Sequence, residues 1–167
     1  MFKVTPAVKP LNQARGTTCW LACLEMMFEW KKDKGDATKD KTKICDLIDQ
    51  KTDYFSSIMV EKGLGTHECA PVARALGLQP TGAGDYTRDI LYSLVSNKGP
   101  LFVAGIWIEN CPHAVVVTAC DKDSDNIKII NPWRNYDLSE SPRTVNWLNA
   151  RGDLWKKVEG SVMYWKN

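Results

Sequence analysis

A change of texture at Gly99 limits the fold more than any other feature of the chain. Beyond it come LFVAGIWI, HAVVVTA and IKII, short β-branched and aromatic runs parted by polar turns, and the chain closes on SVMYW. Runs of that length, bounded by turn formers, read as the strands of a sheet. Before Gly99 the apolar residues fall at helical spacing instead. Trp20, Cys23, Leu24, Met27 and Phe28 predict an amphipathic helix from Thr18 to Lys31, with Thr17 or Thr18 as its N-cap. Ile44, Leu47 and Ile48 predict a second helix, and Val72 to Leu76 with Gly77 behind them a third. Ile90, Leu91, Leu94 and Val95 after Thr87 predict a fourth. Helices followed by strands, rather than alternating with them, give an α+β architecture whose helical lobe and antiparallel sheet lobe meet along a groove.

The segments between carry less. The opening VTPAVKPLNQ holds two prolines and is expected to run extended into the first helix. Lys31 to Lys43, KKDKGDATKDKTK, mixes both charges around a glycine without an apolar stripe and reads as a solvated loop. A chain of 167 residues fits one domain over 1–167 and buries a core without crosslinks. Its net charge of +2 is too slight to point to nucleic acid or membrane as a partner. No stretch has transmembrane length, and the start lacks the apolar run of a secretory signal. The expectation is a soluble chain, cytoplasmic in its producer, whose six cysteines are reduced.

One of those thiols stands apart. Cys19 falls in the first turn of the first helix, where unpaired N–H groups and the helix dipole favour a thiolate. Cys23, one turn deeper, is expected to be packed and inert, and Cys45, Cys69, Cys111 and Cys120 have no such field. A nucleophilic cysteine needs a base, and the chain has two histidines. His67, in GLGTHECAP, has a polar helix-start context that suits a solvated or capping residue. His113 leads the apolar run HAVVVTA, where an imidazole is costly to bury without a partner. The runs HAVVVTA and NIKII flank the turn DKDSDN and should pair as an antiparallel hairpin. That folding brings Asn131 opposite Val116, within a few positions, and so near His113. A carboxamide there would fix the tautomer and orientation of the imidazole. Asp121, Asp123 and Asp125 compete for this third role from the far end of the hairpin. Gln13, on the arm ahead of the helix, can reach the place where charge develops on an attacked carbonyl.

In these residues the chain resembles the papain-like cysteine peptidases. The resemblance is carried by Gln13, by Cys19-Trp20 at the start of the long helix, by His113 leading a strand and by Asn131 in INPW on the next. It extends to the helical-then-sheet layout across nearly the whole chain. The arm VTPAVKPLNQ and the phrase CWLAC are most similar to compact bacterial members, among them leader-processing peptidases of bacteriocin exporters and papain-like effectors injected into other cells. The C-G-[SA]-C-[WY] signature of plant and lysosomal members is only half present, since Thr17-Thr18 precede Cys19.

The resemblance implies a Cys19, His113 and Asn131 triad with the thiol and imidazole as an ion pair. It implies an oxyanion hole from Gln13 and the Cys19 backbone, an acyl-enzyme, and Trp133 shielding the His113 to Asn131 contact. It further implies an endopeptidase acting on a protein or peptide, and a delivered bacterial effector or toxin held in check by an immunity or inhibitor protein. Two other outcomes share the acyl-enzyme, deamidation and transglutamination, and a peptide-binding module without activity is the reading outside catalysis. No cofactor is expected. Asp121 to Asn126 starts like a calcium loop but has Asn126 at the sixth position and Pro132 at the twelfth, where that loop needs glycine and glutamate. Zinc held by His67, Cys69, Cys111 and His113 would need one-residue gaps, tighter than usual ligand spacing.

Overall fold

The computed structural model describes residues 1–82, 84–108, 111–133 and 141–166. Its central element is α1, Cys19–Asp33, two residues longer at its C-terminus than its apolar spacing predicts. Nine of its fifteen residues are buried, Ala22, Met26 and Trp30 in addition to the expected stripe. Leu21, Glu25 and Glu29, at i, i+4 and i+8, form a less buried line, and Lys31, Lys32 and Asp33 leave the core at the C-terminal end. The helix is therefore a core element more than an amphipathic surface one. It packs on the sheet and against a 3-10 turn at Lys41–Lys43. Each large apolar side chain it buries contributes about 1.5–3 kcal/mol relative to exposure.

Four further helices precede Gly99: α2 (Ile44–Lys51), α3 (Ser56–Lys62), α4 (Cys69–Ala75) and α5 (Arg88–Lys98). Thr87 caps α5 by accepting from the Ile90 N–H at 3.3 Å. The segment after α1 is a loop as expected, except that its last residues wind into the 3-10 turn that leads into α2.

Among the described residues seven strands form one sheet: β1 (Phe2–Lys3), β2 (Leu78–Thr81), β3 (Leu101–Ile108), β4 (Cys111–Cys120), β5 (Asn126–Ile130), β6 (Ser141–Thr144) and β7 (Val162–Trp165). The order is β2-β7-β3-β4-β5-β6, with every pairing antiparallel. β3 pairs with β4 only as far as Val117, and β1 takes the edge beyond it, placing Phe2 opposite Cys120. A last helix, α6 (Val145–Gly152), lies across β3.

Three features refine the sequence reading. The division at Gly99 is incomplete, because β1 and β2 bring the first half into the sheet and α6 returns helix to the second. The hairpin register sets Val116 against Ile130, so Asn131 lies one residue past the end of β5. A bulge between Val117 and Ala119 supplies the offset. Thr18 stands at the N-cap of α1, but its hydroxyl makes no cap bond.

Among the described residues no helix is long and apolar enough to cross a membrane.

Candidate active site

The start of α1 is shaped by the turn RGTT. Thr18 spends its hydroxyl on Arg15, accepting from the backbone N–H at 2.9 Å and donating to the carbonyl at 3.1 Å. Thr17 donates its hydroxyl to the Val60 carbonyl at 2.6 Å, which ties the same turn to α3. No side chain therefore consumes the first N–H groups of the helix. Those of Cys19 and Trp20, with the Ala114 N–H from β4, point at the Cys19 sulfur and favour its anion. Burial acts the other way and is larger: Cys19 is 8 % exposed, and its pKa is held above the ordinary value of 9.0. Cys23, wholly buried one turn on, is pushed well higher by burial.

His113 is the third residue of β4 and 7 % exposed. Its Nε2 lies 2.7 Å from Asn131 Oδ1. The Trp133 backbone N–H donates to that same oxygen at 3.0 Å, which identifies the amide atom facing the ring as oxygen. Nε2 must then carry the hydrogen, and in the neutral ring Nδ1 is the nitrogen with a lone pair. The Trp133 ring stands edge-on to the imidazole at 5.6 Å between centroids. From the other side, Trp107 Nε1 donates to the His113 carbonyl and anchors the strand. Burial lowers the His113 pKa below its ordinary 6.5, opposed by the bond to Asn131. Burial thus favours the uncharged form of both Cys19 and His113, and the expected ion pair stands against that field.

Cys19 and His113 line one cavity of about 470 Å³. That volume lies in the range of sites that enclose small ligands or short peptide segments. Its walls are apolar: Trp20, Ile58 and Met59 on the helical side, Phe102, Ala104 and Trp155 on the sheet side. The run Gly63 to Glu68 forms a rim. The sequence does not mark these wall residues beyond the glycines of GLG, of which Gly63 ends α3 at φ 91° and turns the chain along the cleft. His67 sits on that rim with a mostly solvated side chain, edge-on to Tyr54.

Gln13 lies behind the same turn, 2 % exposed. Its backbone N–H donates to the Pro132 carbonyl at 2.8 Å and so bridges the arm to the residue after Asn131. Its Nε2 donates to the Arg15 carbonyl at 2.7 Å and the Gly16 carbonyl at 3.1 Å, which directs both amide hydrogens at the turn. Asp121, in the hairpin turn, accepts from the Ser124 hydroxyl at 2.8 Å. No cluster of metal-ligating side chains occurs among the described residues.

Comparison with known proteins follows the same lines. No curated protein matches the sequence. Among solved structures, a protein described as a C39-like peptidase from Bacillus anthracis superposes with a TM-score of 0.61 at 16% identity, covering 99% of this chain and 98% of that one. The peptidase domain of Streptococcus ComA, a bifunctional ABC transporter of a quorum-sensing pathway, gives 0.49 at 13% identity, covering 95% of this chain and 96% of its own. The Pseudomonas avirulence protein AvrPphB gives 0.37 at 11% identity, covering 92% and 94%. The family model described as papain-like cysteine protease AvrRpt2 matches residues 5–151, a span that takes in Gln13, Cys19, His113 and Asn131. That match over most of the chain makes it a member of the papain-like cysteine protease family.

Proposed function

We propose that the chain is an endopeptidase in which Cys19 is the nucleophile, His113 the general base and acid, and Asn131 the residue that orients the imidazole. The observation that carries the reading is the bond from His113 Nε2 to Asn131 Oδ1, which leaves Nδ1 as the base in the cavity that holds the Cys19 thiol. With both groups uncharged at rest, Nδ1 takes the thiol proton as the sulfur attacks a peptide carbonyl. The oxyanion that forms meets the Cys19 backbone N–H and an amide hydrogen of Gln13, turned from Arg15 or Gly16 toward the cleft. Each such donor is worth about 10²–10³ in rate. His113 returns its proton to the departing amine. It then deprotonates the water that releases the acyl group from sulfur.

The apolar cavity suits a segment of a protein or peptide substrate. Mass spectrometry of proteins incubated with the reduced enzyme tests the reaction, because backbone cleavage, conversion of a glutamine amide to an acid, and crosslinking leave different products. Cleavage is the expected one; either of the others replaces the peptidase with a deamidase or transglutaminase. The proposal extends to a single domain over residues 1–167 acting as a delivered bacterial effector or toxin, restrained in its producer by an immunity protein. Family membership is the support for that role. A translocation reporter fused to the chain tests delivery, and absence of the reporter from target cells rules it out.

A further inference from the structure

The cleft contains a second thiol that the peptidase reaction does not use. Cys111 opens β4 two residues before His113, and alternation along a strand puts residues i and i+2 on one face. The register of β3 against β4 shifts beside it and its thiol lies 3.7 Å from the Pro112 carbonyl oxygen, while Cys111, His113 and Cys19 line the same cavity. Negative charge on Cys111 raises the pKa of Cys19, so the two sulfurs sense each other across the cleft. Cys111 is also the one cysteine of six that is exposed; Cys19, Cys23, Cys69 and Cys120 are buried and Cys45 is half-buried. Burial pushes Cys69 up to about 12 and Cys120 up to about 11, which keeps both as unreactive thiols. An oxidant arriving from solvent therefore meets Cys111 first.

We propose that Cys111 is a redox modification site, at which a peroxide initiates a Cys19–Cys111 disulfide that closes the cleft. The Cys111 sulfur attacks a peroxide oxygen, the O–O bond breaks, and hydrogen peroxide leaves a sulfenic acid and one water. Nδ1 of His113 then takes the Cys19 proton, and the Cys19 sulfur attacks the sulfenic sulfur. The S–O bond breaks as the S–S bond forms, and the hydroxide leaves with that proton as a second water. Two thiols lose two electrons, and the peroxide is reduced to two waters. The inference rests on the proposed role of His113 as proton acceptor from Cys19.

The test is hydrogen peroxide treatment of the full chain, alkylation of remaining thiols, and peptide mapping without reductant, with protein cleavage assayed in parallel. The expected result is a peptide linking Cys19 to Cys111, loss of cleavage, and recovery of both free thiols and cleavage with dithiothreitol. In Cys111→Ser the linked peptide is absent and cleavage survives the same peroxide treatment, because the buried Cys19 is no longer oxidised through Cys111. Sulfinic or sulfonic Cys111 beside an alkylatable Cys19 overturns the inference, as does an equal loss of cleavage in Cys111→Ser under the same peroxide treatment. A linked peptide in a chain that cleaves nothing upholds the thiol pair and overturns the peptidase reading. Cleavage without a linked peptide does the reverse.

Discussion

Cys19 occupies a helix N-terminus, a position that by itself lowers a thiol pKa, yet burial raises it above 9.0. His113 departs in the opposite sense, and both shifts favour a neutral pair. Iodoacetamide labelling of Cys19 should therefore climb with pH and still be rising near pH 9, whereas a thiolate–imidazolium pair would label on an acidic plateau. Exposed Cys111 must be resolved from it by peptide mapping. The His113 shift also bears on stability. Its pKa is lower folded than unfolded, so the unfolded state binds more protons below pH 6.5. The contribution of neutral His113 is present above that pH and is lost as pH falls through the lower folded value. In a thermal melt series, wild type should lose stability on acidification more steeply than His113→Gln; parallel curves would contradict this. Asn131→Ala frees the imidazole to rotate and to change tautomer. Its kcat should fall on the order of 10²-fold with KM little changed, a loss within the usual range for positioned proton transfer. Cys19, His113 and Asn131, the residues proposed for the site, stand out in the sequence because each adjoins a strongly patterned element, α1, β4 or β5. Which ring nitrogen of His113 keeps its lone pair does not show in the sequence, since it depends on the Trp133 N–H.

Among the elements, what sequence pattern missed has a common cause. The outer strands β2 and β6 are four residues each and contain Pro80 and Pro142. A proline argues against a strand in sequence, yet it suits a sheet edge, where one side needs no N–H donor. β1 is two residues long and exists because β4 outruns β3. In α3 and α6 the apolar signal is weak, since α3 buries Ser56 and Met59 but exposes Ile58, and α6 buries Val145, Leu148 and Gly152. The cleft's sheet wall depends on such a contact: a Cβ at Gly105 would lie 2.5 Å from the Arg151 carbonyl oxygen, where the end of α6 rests on β3. Gly105 is paired directly with His113, so displacement there reaches the site. Gly105→Ala should destabilise the fold by roughly 1–3 kcal/mol in denaturant titration, as overpacking does. A neutral result would mean that α6 does not bear on β3 as described.

At the scale of the molecule, one hydrophobic core runs from α1 through the sheet to Trp155 and Trp165, and the cleft opens where helical and sheet contributions to it part. The arm before α1 joins the two sides. Val4 donates to Thr118 on β4, Trp30 of α1 donates through Nε1 to Pro6, and Gln13 donates to Pro132. The broad division into helical and sheet parts was readable from residue texture. The cavity wall was not, because Ile58, Phe102 and Trp155 are distant in sequence and meet only through packing. The most direct test of a Cys19-dependent peptidase is a comparison of new protein N-termini in one proteome exposed to wild type and to Cys19→Ala. The expected result is a set of cleavages made by wild type and absent with the variant. Identical sets of N-termini in the two samples would contradict it.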